Sequence, residues 1–198
     1  MRRAASLALA IAAAAPAFSA EISSEYTELD ARRDCAVVLT GGEGDEGDWG
    51  VSVCPGWRGY PVLSGFAFGR LFANYGFPAG EIETLIKDSF GPPHGVSPKI
   101  EWRIRTEGEI TRPFAVIRRW TIAAFDGAAE MQVLAVSRVG QPNGSAGCLT
   151  GYVMASGNPQ ANEQARVMAD TQVEAFDCAS GTPMVLPKGV GLPIYRQN

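Results

Sequence analysis

Few residues in this 198-residue chain could carry chemistry: four cysteines, one histidine, and clustered acids, arginines and aromatics. A Ser-His-Asp or Cys-His centre would have to be built on His94, the only histidine. His94 lies in GPPHGVSP (91–98), whose prolines and glycines read as an exposed loop. A catalytic His94 is therefore disfavoured, and a histidine-rich metal site is excluded by count. The densest acids, Glu43, Asp45, Glu46 and Asp48, fall in GGEGDEGDWG. Calcium takes oxygen ligands, but this loop lacks the alternating Asp order and distal bidentate Glu of an EF-hand. A solvated hairpin loop is the plainer reading. No two carboxylates stand out as the acid and base of a glycosidase, so no catalytic residue, metal or cofactor is assigned.

Two other groups are candidates for contact rather than catalysis. Trp57, Arg58 and Tyr60 share the turn PGWRGYP, where aromatics suit either a partner or glycan surface or the plug of a sheet end. Arg103 and Arg105 point the same way from one alternating strand, with Arg118 and Arg119 on a neighbouring one. They form either an anion or acidic-partner patch or a solvated face balanced by Glu101, Glu107 and Glu109. The candidate partner-binding set is Trp57, Arg58, Tyr60, Arg103 and Arg105.

The cysteines are read with the first twenty residues, MRRAASLALAIAAAAPAFSA. Arg2 and Arg3 precede an apolar run, and small residues follow at positions suited to signal peptidase, with cleavage between Ala17 and Ala20. That run is too short to span roughly 30 Å of hydrocarbon, and no other stretch is apolar enough. A cleaved signal peptide over 1–20 and one globular domain over 21–198 are expected, placing the protein in the periplasm or outside the cell. Removing the two arginines leaves 15 Lys+Arg against 21 Asp+Glu, changing the net charge from −4 to −6. An acidic chain without a polybasic run is a poor nucleic-acid or anionic-membrane binder. An even cysteine count in an exported chain predicts disulfides; the absence of C-x-x-C spacing and of nearby histidines argues against zinc.

The elements that must position these residues follow from periodicity. Residues 21–34 read as a polar lead-in with a helical turn near Glu28 to Arg33. A hairpin over 35–54 with loop 41–48 sets Cys35 opposite Cys54, with Ala36, Val38 and Thr40 meeting Val53, Val51 and Trp49 on a core face. Val62 to Tyr75 reads as one or two strands, and Ile82, Leu85, Ile86 and Phe90 suit a short helix over 80–90. Lys99 to Arg105 alternates, with Ile100, Trp102 and Ile104 inward and the charges outward. Further strands are expected at Phe114 to Ile122, Met131 to Val139 and Cys148 to Met154.

A helix over about 159–176 follows, with Asn158 as N-cap and Pro159 at the first helical position. Its apolar stripe is Ala165, Met168, Ala169, Val173 and Phe176; Glu163, Arg166, Asp170 and Glu174 form its polar face. Joining Cys178 to Cys148 would staple the helix end to the preceding strand. The fold class expected is α+β: one antiparallel meander with a long C-terminal helix and two disulfides.

The order G-W-R-G-Y-P-V, K-I-E-W-R, P-F-A-V-I-R-R-W, Q-V-L-A-V and G-C-L-T-G-Y-V-M-A-S-G-N-P-Q-A-N-E-Q-A-R resembles a group of small exported proteobacterial proteins. The resemblance runs from about Tyr26 to Cys178. That group carries no assigned activity, so the resemblance implies a periplasmic location and no site residue. The functional expectation is a non-enzymatic envelope binding or structural protein whose partner is an envelope protein or glycan. The alternatives are a carboxylate-based glycan or peptidoglycan hydrolase and a muramidase inhibitor.

Overall fold

The computed structural model describes residues 20–41, 49–67, 69–81, 88–90, 94–123 and 129–196. The chain is mostly β, which overturns the α+β expectation of one meander under a long helix. Its strands are β1 (Glu21–Glu28), β2 (Ala36–Gly41), β3 (Trp49–Cys54), β4 (Val62–Ala67), β5 (Arg70–Tyr75), β6 (Asp88–Phe90), β7 (His94–Glu107), β8 (Ile110–Ile122), β9 (Met131–Arg138), β10 (Cys148–Met154), β11 (Met184–Leu186) and β12 (Ile194–Arg196). The helices are α1 (Ala31–Asp34) and α2 (Ala161–Gln172). They form a six-stranded sheet ordered β1-β7-β8-β9-β10-β11, a four-stranded sheet β2-β3-β4-β5, and the pair β12-β6.

The expected meander survives as the run from β7 to β10, in which each strand pairs antiparallel with the next. Two additions widen it. β1, expected as a polar lead-in, pairs antiparallel with β7, Glu21 opposite Thr106 and Glu28 opposite Lys99. β11 joins β10 in parallel. Of the helix expected over 80–90, residues 82–87 lie outside the described residues, and residues 88–90 form β6. His94 and the residues to Pro98, expected in a loop, begin β7.

The hairpin register holds where the disulfide needs it. Ala36 faces Val53 and Val37 faces Ser52, and Cys35 and Cys54 are bonded. A bulge between Val37 and Leu39 then shifts the pairing, so that Leu39 faces Val51. Leu39, not Val38, therefore joins Val51, Ala67, Phe72 and Trp49 in a small core, while Ala36, Val38 and Thr40 are exposed. The expected core face of this edge strand is corrected by that extra residue.

The six-stranded sheet is covered on both faces. One buries Ile100, Trp102, Ile104 and Val116 against Cys54, Trp57, Val62 and Tyr75. The other buries Phe114, Ile117, Leu134, Val136 and Val153 beneath Ala161, Ala165, Met168, Ala169 and Val173. The helical stripe was legible, but the helix is twelve residues long, shorter than expected, and its N-cap is Gln160. Asn158 instead shapes the turn before it, accepting from the Gln160 amide at 3.1 Å and donating to Met154 O at 3.0 Å. Gly151 lets α2 lie close: a Cβ there would stand 2.5 Å from Met168 Sδ. The second disulfide joins Cys148 to Cys178.

Candidate functional site

Two polar faces that look solvated in sequence meet in the fold. Glu101, Arg103 and Arg105 project from β7 two residues apart, about 6.8 Å per step. Arg166, Asp170 and Glu174 repeat every four residues along and just past α2, about 6.0 Å per step. The two periods nearly coincide, so the side chains pair in three rungs. Arg166 Nε donates to Glu101 Oε1 at 2.6 Å. Arg103 grips Asp170 with two bonds, Nε to Oδ1 at 2.8 Å and Nη2 to Oδ2 at 2.6 Å. Arg105 Nη1 lies 2.5 Å from Glu174 Oε2, with its guanidinium 4.9 Å from the Phe114 ring centre.

Glu101 is almost enclosed. Burial pushes its carboxyl up, but hydrogen bonds from Arg166 and Ser24, with the charges of Arg166 and Arg103, outweigh burial and hold it below the usual carboxylate range. Arg166 is raised in return, first by its hydrogen bond to Glu101. Of the expected basic patch, then, Arg103 and Arg105 are internal counter-charges of the helix. Arg118 points to the opposite face of the sheet, 3 % exposed, with Nε donating to Ser97 O at 2.7 Å. Sequence reasoning identified both polar faces but had no signal that they were opposite each other.

The turn after Cys54 is similarly occupied. Trp57 is 4 % exposed, and its Nε1 donates to Glu25 Oε2 at 2.6 Å. Tyr60 donates to Gln141 Oε1 at 3.1 Å and meets Phe77 edge-on at 5.2 Å. Burial raises the Tyr60 hydroxyl, against the opposing charge of Arg112. Arg58, at φ 43°, is the exposed member and lies 4.7 Å above the Trp57 ring. These aromatics close the end of the sheets, leaving Arg58 at the surface. His94 stands in a strand and not in a loop: its Nε2 is 3.1 Å from Leu71 N, and its ring lies 5.6 Å from those of Phe90 and Trp120.

Two cations without a carboxylate partner among the described residues lie together at the N-terminal end of α2. A cleft of about 230 Å³ there is lined by residues that include Tyr26, Lys99, Glu101, Arg119, Asn162 and Arg166. Three cations against one carboxylate give these walls a formal charge of +2, in a chain whose net charge is −4. Arg166 and Glu101 cancel within the first rung. Arg119 makes bonds only to neutral oxygens among the described residues, Gln132 Oε1 at 3.1 Å and Asn162 Oδ1 at 3.3 Å. Lys99 has no carboxylate partner among the described residues; its Nζ sits 4.5 Å over the Tyr26 ring. Tyr26 stands 48 % exposed at the rim. The helix dipole adds positive potential at this end, and Gln160 makes no side-chain cap bond.

Among the described residues no group of His, Cys, Asp and Glu is arranged to hold a metal ion, and the acidic loop residues 43–48 lie outside them. No helix among the described residues is long and apolar enough to cross a membrane. The two disulfides are compatible with an extracellular or periplasmic protein. Comparison with protein-family models, curated proteins and solved structures finds no match.

Proposed function

We propose that this is an exported, periplasmic binding protein of the cell envelope that recognises an anionic group in the cleft at the start of α2, without transforming it. The carrying observation is the pair Lys99 and Arg119, two cations in a concave site with no carboxylate partner among the described residues. On the same sheet face Arg103 and Arg105 are matched by Asp170 and by Glu174 just past α2. An unmatched pair beside them is a place for a charge supplied from outside. The hydrolase alternative needs a carboxylic acid whose pKa is raised. The cleft's carboxyl, Glu101, is shifted down and spent on Arg166.

Co-sedimentation of the oxidised protein with an isolated bacterial envelope fraction tests this reading. Wild type should be retained at low salt and released at high salt, as screened charge contacts require. The Lys99→Gln/Arg119→Gln variant should stay in solution, and the same fraction should show no newly released reducing ends. Equal retention of variant and wild type would remove the cleft from the site.

A further inference from the structure

The chemistry of the cleft narrows the ligand, on the reading that it is an anion site. We propose that the group it takes is a phosphoryl dianion, a phosphate monoester at the end of a larger molecule. Charge comes first: walls of formal charge +2 are neutralised by one dianion, whereas a carboxylate leaves one cation unmet. Direction comes second. The donors stand on three elements, Lys99 on β7, Arg119 on β8 and Asn162 in the first turn of α2. A tetrahedral group offers three oxygens to donors arriving from separate sides, while a carboxylate offers two in one plane.

Arg119 retains donors for this task. Its bonds to Gln132 and Asn162 use one N–H on each terminal nitrogen, leaving the other on each and Nε–H. Asn162 Oδ1 is engaged by that bond, so its side-chain amide N–H groups are the part left to donate. Glu101 does not oppose an incoming anion with a free charge, because Oε1 accepts from Arg166 and Ser24 and Oε2 from Arg166. Size comes third. About 230 Å³ is below the roughly 300–1,000 Å³ of sites that enclose a whole small ligand. The cleft holds the charged end, and the remainder lies outside, beside the exposed Tyr26 ring.

The experiment is an amide NMR titration of the full oxidised protein with inorganic phosphate and with acetate at pH 8. Expected are saturable shifts around Lys99, Arg119 and Asn162 with phosphate, and at least about tenfold weaker binding of acetate. Inorganic phosphate binding should weaken as pH falls below about 7, where the free dianion takes up a proton, and binding of a monoester should weaken below about 6. Arg119→Gln and Lys99→Gln should each weaken phosphate binding about tenfold, roughly one charge-assisted hydrogen bond, with unchanged thermal melting. Acetate binding as tightly as phosphate would overturn the phosphoryl assignment while leaving the anion cleft. Binding of neither probe would overturn both, and phosphate binding unaffected by either substitution would overturn the site. Glycerol phosphate and vesicles of phosphatidylcholine with phosphatidate then separate a soluble phosphomonoester from a lipid headgroup. Preferential retention by either, lost in Arg119→Gln, supports the proposal and names the source. Binding to neither overturns the monoester.

Discussion

The rungs under α2 and the cleft at its start share one sheet face, one helix and the same residue types, yet differ in one respect. In the rungs each β7 side chain meets a residue of opposite charge along or just past the helix, in register. In the cleft, Lys99 and Arg119 flank the position where the helix begins, and no helical carboxylate reaches them among the described residues. An arginine on a sheet gains or loses availability through what covers it. Matched charges hold the helix; unmatched ones can hold something else.

The largest effect is expected from freeing the helix at its far end. Replacing both Cys148 and Cys178 with serine should cost about 3–4 kcal/mol by loop-entropy reasoning. In guanidinium unfolding the Glu174 rung should loosen first by hydrogen exchange, with the cleft amides holding longest. Next comes the middle rung. Arg103→Ala strands Asp170 and should cost about 3 kcal/mol, the low end for a broken buried pair because Asp170 is about a quarter exposed. Exchanging the charges, Arg103→Asp with Asp170→Arg, should recover part of that loss in the same unfolding measurement.

The first rung carries a pH signature. Glu101 is shifted below its ordinary value of 4.5, so its contribution is present above about pH 4.5 and is lost as pH falls through the lower native value. Urea midpoints from pH 6 to 3 should show a gap between wild type and Glu101→Gln that closes on acidification; a constant gap would remove the charge from the argument. The smallest effect is expected in the cleft. Arg119→Gln should change unfolding free energy by no more than about 0.5 kcal/mol, typical of a partly exposed residue with neutral partners. A loss of several kcal/mol would make Arg119 a structural residue like Arg103.

What could be read from the sequence follows the reach of each signal. The Cys35–Cys54 register depends on a short hairpin, and near the disulfide it holds. The bulge at Val38 leaves no mark in composition, and it reverses which residues of β2 face the core. β1 was missed because its residues, EISSEYTE, carry little apolar content; its partner lies some eighty residues onward, at Lys99 to Thr106. The helix stripe was visible through its 3.6-residue period, and so were both charged faces. That these faces meet is a tertiary fact, and the cleft exists only because they meet out to one end.

The two disulfides have a consequence for how the chain assembles. Each joins cysteines that are successive in the sequence, 19 and 30 residues apart, whereas β1 must find β7 across most of the first hundred residues. A chain oxidised as it emerges N-terminus first presents Cys35 with Cys54 before any other thiol, and after that bond forms Cys148 has only Cys178. Order of appearance alone selects one of the three possible connectivities. In a chain oxidised in that order the covalent links would close local loops first, and the slower distant pairing of sheet edges would follow on a chain already tied.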